Sequence, residues 1–79
     1  MEERAKIVET LIEKTGSIMK VSGLTEESVF ADLDMKSVNY SALINILEDE
    51  FDVEINYMEF KRKATIAEAA DYVAALIDG

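Results

Sequence analysis

Ser37 is the one side chain in this sequence placed for covalent chemistry. It lies in the stretch Asp32-Leu33-Asp34-Met35-Lys36-Ser37-Val38, where a short acidic segment ends and a long apolar-periodic segment begins. That position puts its hydroxyl in the first turn of an expected helix, where backbone N–H groups lack helical partners and attract anions. A phosphate ester on this hydroxyl would sit in a favourable field. Little else competes with it. The chain has no histidine, so it lacks the usual base near neutral pH and the commonest metal ligand. It has no cysteine, so it has no disulfide, thiolate nucleophile or thiolate metal site. Serine–histidine and cysteine–histidine catalysis are excluded within the chain. A calcium loop beginning at Asp32-Leu33-Asp34 fails on its ligands: Lys36, Val38 and Leu43 stand where oxygen donors are required. The acidic run from Glu48 to Glu54 lacks the loop spacing too, so no metal site is expected.

The 17 acidic and 8 basic residues leave a formal charge of −9. Such acidity argues against nucleic acid, whose binding rests on cationic phosphate contacts, and against an anionic membrane surface. It suits a partner with a basic patch, because opposite fields steer encounter, and it also keeps a small protein soluble. No apolar run approaches the ~20 residues that span a bilayer. The opening Met1-Glu2-Glu3-Arg4-Ala5-Lys6 has no apolar core of the signal-peptide kind. The expectation is a cytoplasmic protein without membrane insertion.

The elements that must position Ser37 follow from the apolar spacing. The 79 residues make a single domain, 1–79. Residues 3–15 read as a helix, with Ile7, Val8, Leu11 and Ile12 on one face and Gly16 as its left-handed cap. Residues 16–36 read as a long loop rich in Gly, Ser and Thr, its second half pinned by Val29, Phe30 and Leu33. Residues 37–51 form the longest and most apolar helix, with an acidic end that opposes the helix macrodipole. Phe51, Val53, Ile55 and Tyr57 alternate as in a strand, but no second strand exists to pair with them. Residues 52–56 are therefore an extended connector tucking Val53 and Ile55 inward, and 57–62 a short helical turn. Thr65-Ile66-Ala67-Glu68 fits a capping box before a final amphipathic helix. The fold class is all-α: a small bundle of three main helices plus a short third helix, with a long loop between the first and second.

The run Ser28-Val29-Phe30-Ala31-Asp32-Leu33-Asp34-Met35-Lys36-Ser37-Val38, then Leu43 and Leu47 through Ile55, resembles the acyl carrier protein family. Thr65-Ile66-Ala67-Glu68-Ala69-Ala70-Asp71-Tyr72-Val73 is similar to that family's last helix, and the likeness covers roughly residues 3–77. By this resemblance Ser37 carries a 4′-phosphopantetheine arm, moved from coenzyme A by a phosphopantetheinyl transferase. The arm's thiol then holds an acyl chain as a thioester for fatty-acid, lipid or polyketide-type synthesis. The chain itself would be a monomeric carrier and not an enzyme. Its partners would be acyl-transfer and biosynthetic enzymes with basic docking patches. Residues expected to border a folded-back acyl chain are Leu11, Phe30, Leu33, Leu43, Leu47, Ile55, Ile66 and Val73, which are equally core positions.

The chain departs from the family pattern next to Ser37. Lys36 replaces the usual aspartate and Val38 the usual leucine. Asn39 and Ala42 stand where acid is common, Asn45 where an apolar partner-facing residue is common, and Asn56 where proline is frequent. Lys61-Arg62-Lys63 adds cations near the third helix. The residues expected to face partners are Lys36, Val38, Asn39, Ser41, Asn45, Glu48 and Asp49. Each rim charge pair contributes about 0.2–1 kcal/mol. Losing two or three weakens docking to a standard partner by roughly one to two decades, which implies a specialised carrier with its own partner set. Alternatives are a peptidyl or D-alanyl carrier, which shares fold and arm, and a helical interaction module that is no longer modified.

Overall fold

The computed structural model describes residues 2–79, so Met1 of the charged N-terminal segment lies outside it. Among the described residues four helices follow in order: α1 (Glu2–Met19), α2 (Ser37–Phe51), α3 (Tyr57–Lys61) and α4 (Ile66–Asp78). A single 3₁₀ turn, Phe30–Leu33, interrupts the connection between α1 and α2. The described residues form no named strand, only an isolated bridge between Val29 and Thr65. The whole measures 30 × 23 × 19 Å.

Helical spacing decides what each helix buries. α2 turns Tyr40, Leu43, Ile44 and Leu47 inward, and α4 turns Ile66, Ala69, Ala70 and Val73 inward. Both sets follow the i, i+3, i+4, i+7 rule. α1 adds Ile7, Val8 and Leu11, and packs against both α4 and α2. Each fully buried Leu, Ile or Phe stabilises the fold by about 1.5–3 kcal/mol. Phe60 of α3 and Phe30 of the 3₁₀ turn close the remaining side, their ring centroids 6.2 Å apart.

The first helix is longer than its sequence predicts. It runs through Gly16 to Met19, and Lys20 takes the left-handed position at φ 57°. The Val21 N–H then donates to the Gly16 carbonyl at 3.0 Å, closing the six-residue turn of a helix end. Gly16 is needed here for a different reason from the expected one. A β-carbon at position 16 would lie 2.9 Å from the Val21 carbonyl oxygen. Glycine permits the return of the chain across the helix and does not terminate it.

The connection after α1 is ordered by its neighbours. The Phe30 N–H donates to the Ala64 carbonyl, Ile66 N–H to Ser28, and Ala67 N–H to Glu26, at 3.0, 3.1 and 2.8 Å. Arg4 bridges Glu26 at 2.9 Å and Asp71 at 2.6 Å, joining α1, the loop and α4. Hydrogen bonds to Asp71 and then Glu26 raise its already high pKa. Phe30 is buried and Leu33 half-buried, but Val29 is exposed and acts through its backbone bridge, contrary to its expected place in the core.

The remaining joints agree with the sequence reading, with two adjustments. Residues 53–56 form no regular element, Asn56 is extended, and Val53 and Ile55 are half-buried against the core. Asp52 turns the end of α2 at φ 53°. Thr65 Oγ1 accepts from the Glu68 N–H at 3.1 Å, as a capping box requires. The Glu68 carboxylate, however, takes its bond from the Ala64 N–H at 3.1 Å, one residue before the cap.

Candidate functional site

Ser37 is the first residue of α2, and its side chain is exposed. The residue before it supplies the extended entry that starts the helix, with Lys36 at φ −92° and ψ 170°. An ammonium has donors only, so Lys36 accepts no bond from the helix N–H groups. The Lys36 side chain makes no cap hydrogen bond here. Instead, the Lys36 N–H donates to Asn39 Oδ1 at 2.8 Å, and the Asn39 and Tyr40 N–H groups return to the Lys36 carbonyl. This arrangement leaves the opening turn of α2 without a carboxylate or hydroxyl acceptor. Lys36 Nζ lies 3.2 Å from Asp34 Oδ1, with both side chains well exposed. An exposed hydroxyl, the N–H groups of the first helical residues Ser37 and Val38, and a neighbouring ammonium make a donor set suited to a phosphodiester.

The expected partner-facing residues divide into two groups. Lys36, Val38, Ser41, Asn45 and Asp49 are exposed along α2, Val38 by 71%. Met58 of α3 adds a second exposed apolar side chain, at 56%. Asn39 and Glu48 are half-buried, and the fold uses their polar atoms. Asn39 holds the start of α2, and Glu48 Oε2 accepts from the Ile55 N–H at 2.8 Å, which ties down the turn after α2. Neither bond was readable from sequence, because each depends on where the chain returns.

The residues expected to border an acyl chain are mostly core. Leu11, Leu43, Leu47, Ile66 and Val73 are completely inaccessible, Phe30 nearly so, and Leu33 and Ile55 half-buried. Beside them lies an aromatic group that the sequence reading passed over. Tyr40 meets Phe30 at 6.0 Å, Phe60 at 6.4 Å and Tyr57 at 6.4 Å between centroids. Burial, and then the neighbouring Tyr57 phenol, raise the pKa of Tyr40. Lys61 and Lys63 place their ammonium groups over the rings of Tyr57 and Tyr72, at 5.9 and 5.2 Å. A distinct open groove runs along α1, lined by Val8, Ile12, Arg4 and Glu26 among others.

Comparison with known proteins agrees with this geometry. Residues 5–73 match the family model described as a phosphopantetheine attachment site. An acyl carrier protein SF2 named chloroplastic, from Brassica campestris, is 29% identical over 75 residues. A chloroplastic acyl carrier protein of Brassica napus matches equally well. Both matches cover 95% of this chain and 56% of the relative, so the chain spans little more than half their length. An acyl carrier protein of Thermotoga maritima has the same fold, with a TM-score of 0.76 over 96% of this chain and 92% of that one, at 24% identity. With the family match running from α1 into α4, the chain belongs to the acyl carrier proteins, the family built around a phosphopantetheine attachment site.

Proposed function

We propose that Ser37 is the attachment point of the 4′-phosphopantetheine arm and that the chain carries acyl intermediates on it. The observation that supports this most is the exposed Ser37 at the first position of α2. As an acyl carrier protein the chain is a carrier and not an enzyme. The arm, when attached, supplies the thiol that holds the acyl group as a thioester. The chain's own residues present the hydroxyl, stabilise a negative phosphodiester through the helix N–H groups, and offer a docking face along α2.

The proposed partners are a phosphopantetheinyl transferase and acyl-transfer or biosynthetic enzymes with basic docking patches. Fatty-acid, lipid or polyketide-type synthesis is the proposed setting, in the cytoplasm, with the chain acting as a monomer. The similar Brassica proteins are named chloroplastic, so fractionation of the native host decides the compartment. Lys36 with Asn39 and Ala42 supports a specialised carrier, since positive charge and neutral side chains replace acid around the attachment point.

Intact-mass analysis after incubation with coenzyme A and a transferase tests the site. The expected result is one phosphopantetheinyl adduct, lost in Ser37→Ala and kept in Ser41→Ala. An adduct retained in Ser37→Ala and lost in Ser41→Ala refutes the assignment. No adduct with several transferases favours the unmodified interaction module, the reading to which the Lys36 charge reversal lends support. A second comparison reads Lys36 itself. Lys36→Asp is expected to be modified faster than wild type by a broad-specificity transferase, and equal rates would show that Lys36 does not tune recognition.

A further inference from the structure

Two buried hydroxyls among the described residues have no hydrogen-bond partner, those of Thr15 and Tyr57. Thr15 belongs to α1, whereas Tyr57 begins α3 beside α2. Its ring lies edge-on to that of Tyr40 at 6.4 Å, and the Lys61 ammonium covers it at 5.9 Å. The packing explains the ring but not the oxygen. Phe30 and Phe60 supply equivalent rings in the same group, and a phenylalanine at 57 would preserve those contacts without burying an unmade donor, which is costly to leave unpaired. Tyr72, by contrast, uses its hydroxyl to accept from the Asn56 N–H at 3.1 Å.

The location of the unused donor suggests its partner. Tyr40 follows Ser37 by three residues, and side chains at that spacing share one side of a helix. The Tyr57 ring stands next to Tyr40. Material attached at Ser37 and folding inward along α2 therefore meets Tyr40 and then Tyr57. In apolar surroundings a phenol without a partner favours an acceptor oxygen over a methylene, because a saturated chain leaves the donor unpaired.

We infer that the Tyr57 hydroxyl is a docking donor for a carbonyl oxygen delivered from Ser37, either an amide carbonyl of the arm or a carbonyl of the acyl group. This rests on the reading of Ser37 as the attachment point. Where that oxygen lies on the acyl chain itself, the contact gives the carrier a preference for cargo that brings an acceptor between α2 and α3.

The test compares wild type with Tyr57→Phe in four forms: unmodified, with the arm alone, with a saturated acyl group, and with a 3-oxoacyl group of equal length. Intact mass first establishes the adduct on Ser37, and urea unfolding is then measured for each form. Without the arm, Tyr57→Phe is expected to be as stable as wild type or more so. In a form that brings a carbonyl to Tyr57, wild type gains over Tyr57→Phe by roughly three- to tenfold in the folding equilibrium constant, the worth of one net hydrogen bond. A gain already present with the arm alone identifies the amide carbonyl, one that begins with the saturated acyl form identifies the thioester carbonyl, and one confined to the 3-oxoacyl form identifies the keto group. A ¹³C label at the identified carbonyl is expected to shift downfield in wild type and not in Tyr57→Phe. The same stability difference in all four forms overturns the inference while leaving the Ser37 reading intact, as does a Tyr57→Phe protein already weakened without the arm. Absence of any adduct on Ser37 overturns both.

Discussion

Lys36 occupies the position from which a side chain would cap α2, and it has no atom able to do so. Its charged contact with Asp34 is exposed and contributes little. Lys36→Ser is therefore expected to stabilise the unmodified protein by about 1 kcal/mol, measured by urea unfolding, because serine accepts from the first-turn N–H groups. The tyrosines make a second prediction. Burial is the leading cause of the raised pKa at both Tyr40 and Tyr72, above tyrosine's ordinary 10.0. The native state thus holds these protons more tightly than the unfolded chain. Their contribution to stability is complete below the ordinary value and is lost as pH rises through the higher native ones. Thermal unfolding followed into the alkaline range is expected to show this loss, and Tyr40→Phe to reduce it.

At the scale of elements, α2 was readable to the residue and α1 was not, and the contrast has a physical cause. The start of α2 follows an acidic stretch, and its apolar repeat runs unbroken from Val38 to Phe51, so local pattern marks both ends. Glycine in α1 looked like a cap because glycine is cheap in a left-handed turn. The turn instead falls at Lys20, and Gly16 is required by the Val21 carbonyl that comes back across the helix. Gly16→Ala raises helix propensity by about 1 kcal/mol, yet is expected to lower stability. The backbone displacement it forces costs about 1–3 kcal/mol, as overpacking does elsewhere. A higher Tm for Gly16→Ala would show that the Val21 turn yields easily. Glu48 has a structural use that its acidity did not announce: its carboxylate accepts from the Ile55 N–H.

Across the whole molecule, charge and packing act on different properties. A net charge of −9 governs encounter with partners and is screened beyond ~10 Å at 0.1 M salt. Association with a basic-patched partner enzyme is expected to slow steeply as salt rises, with Asp49→Asn lowering the association rate and leaving unfolding unchanged. The exclusion of histidine and cysteine chemistry, the all-α class, the range of α2 and the candidacy of Ser37 all followed from composition and periodicity, which are local properties of the chain. The family likeness that the residues carried was met by the match over residues 5–73. Tertiary structure alone decided the uses of Gly16, Asn39 and Glu48, the Arg4 bridge between Glu26 and Asp71, and the unpaired Tyr57 hydroxyl. Each depends on which backbone or side-chain group another segment brings within a few ångströms, and residue spacing along the chain carries no record of that approach.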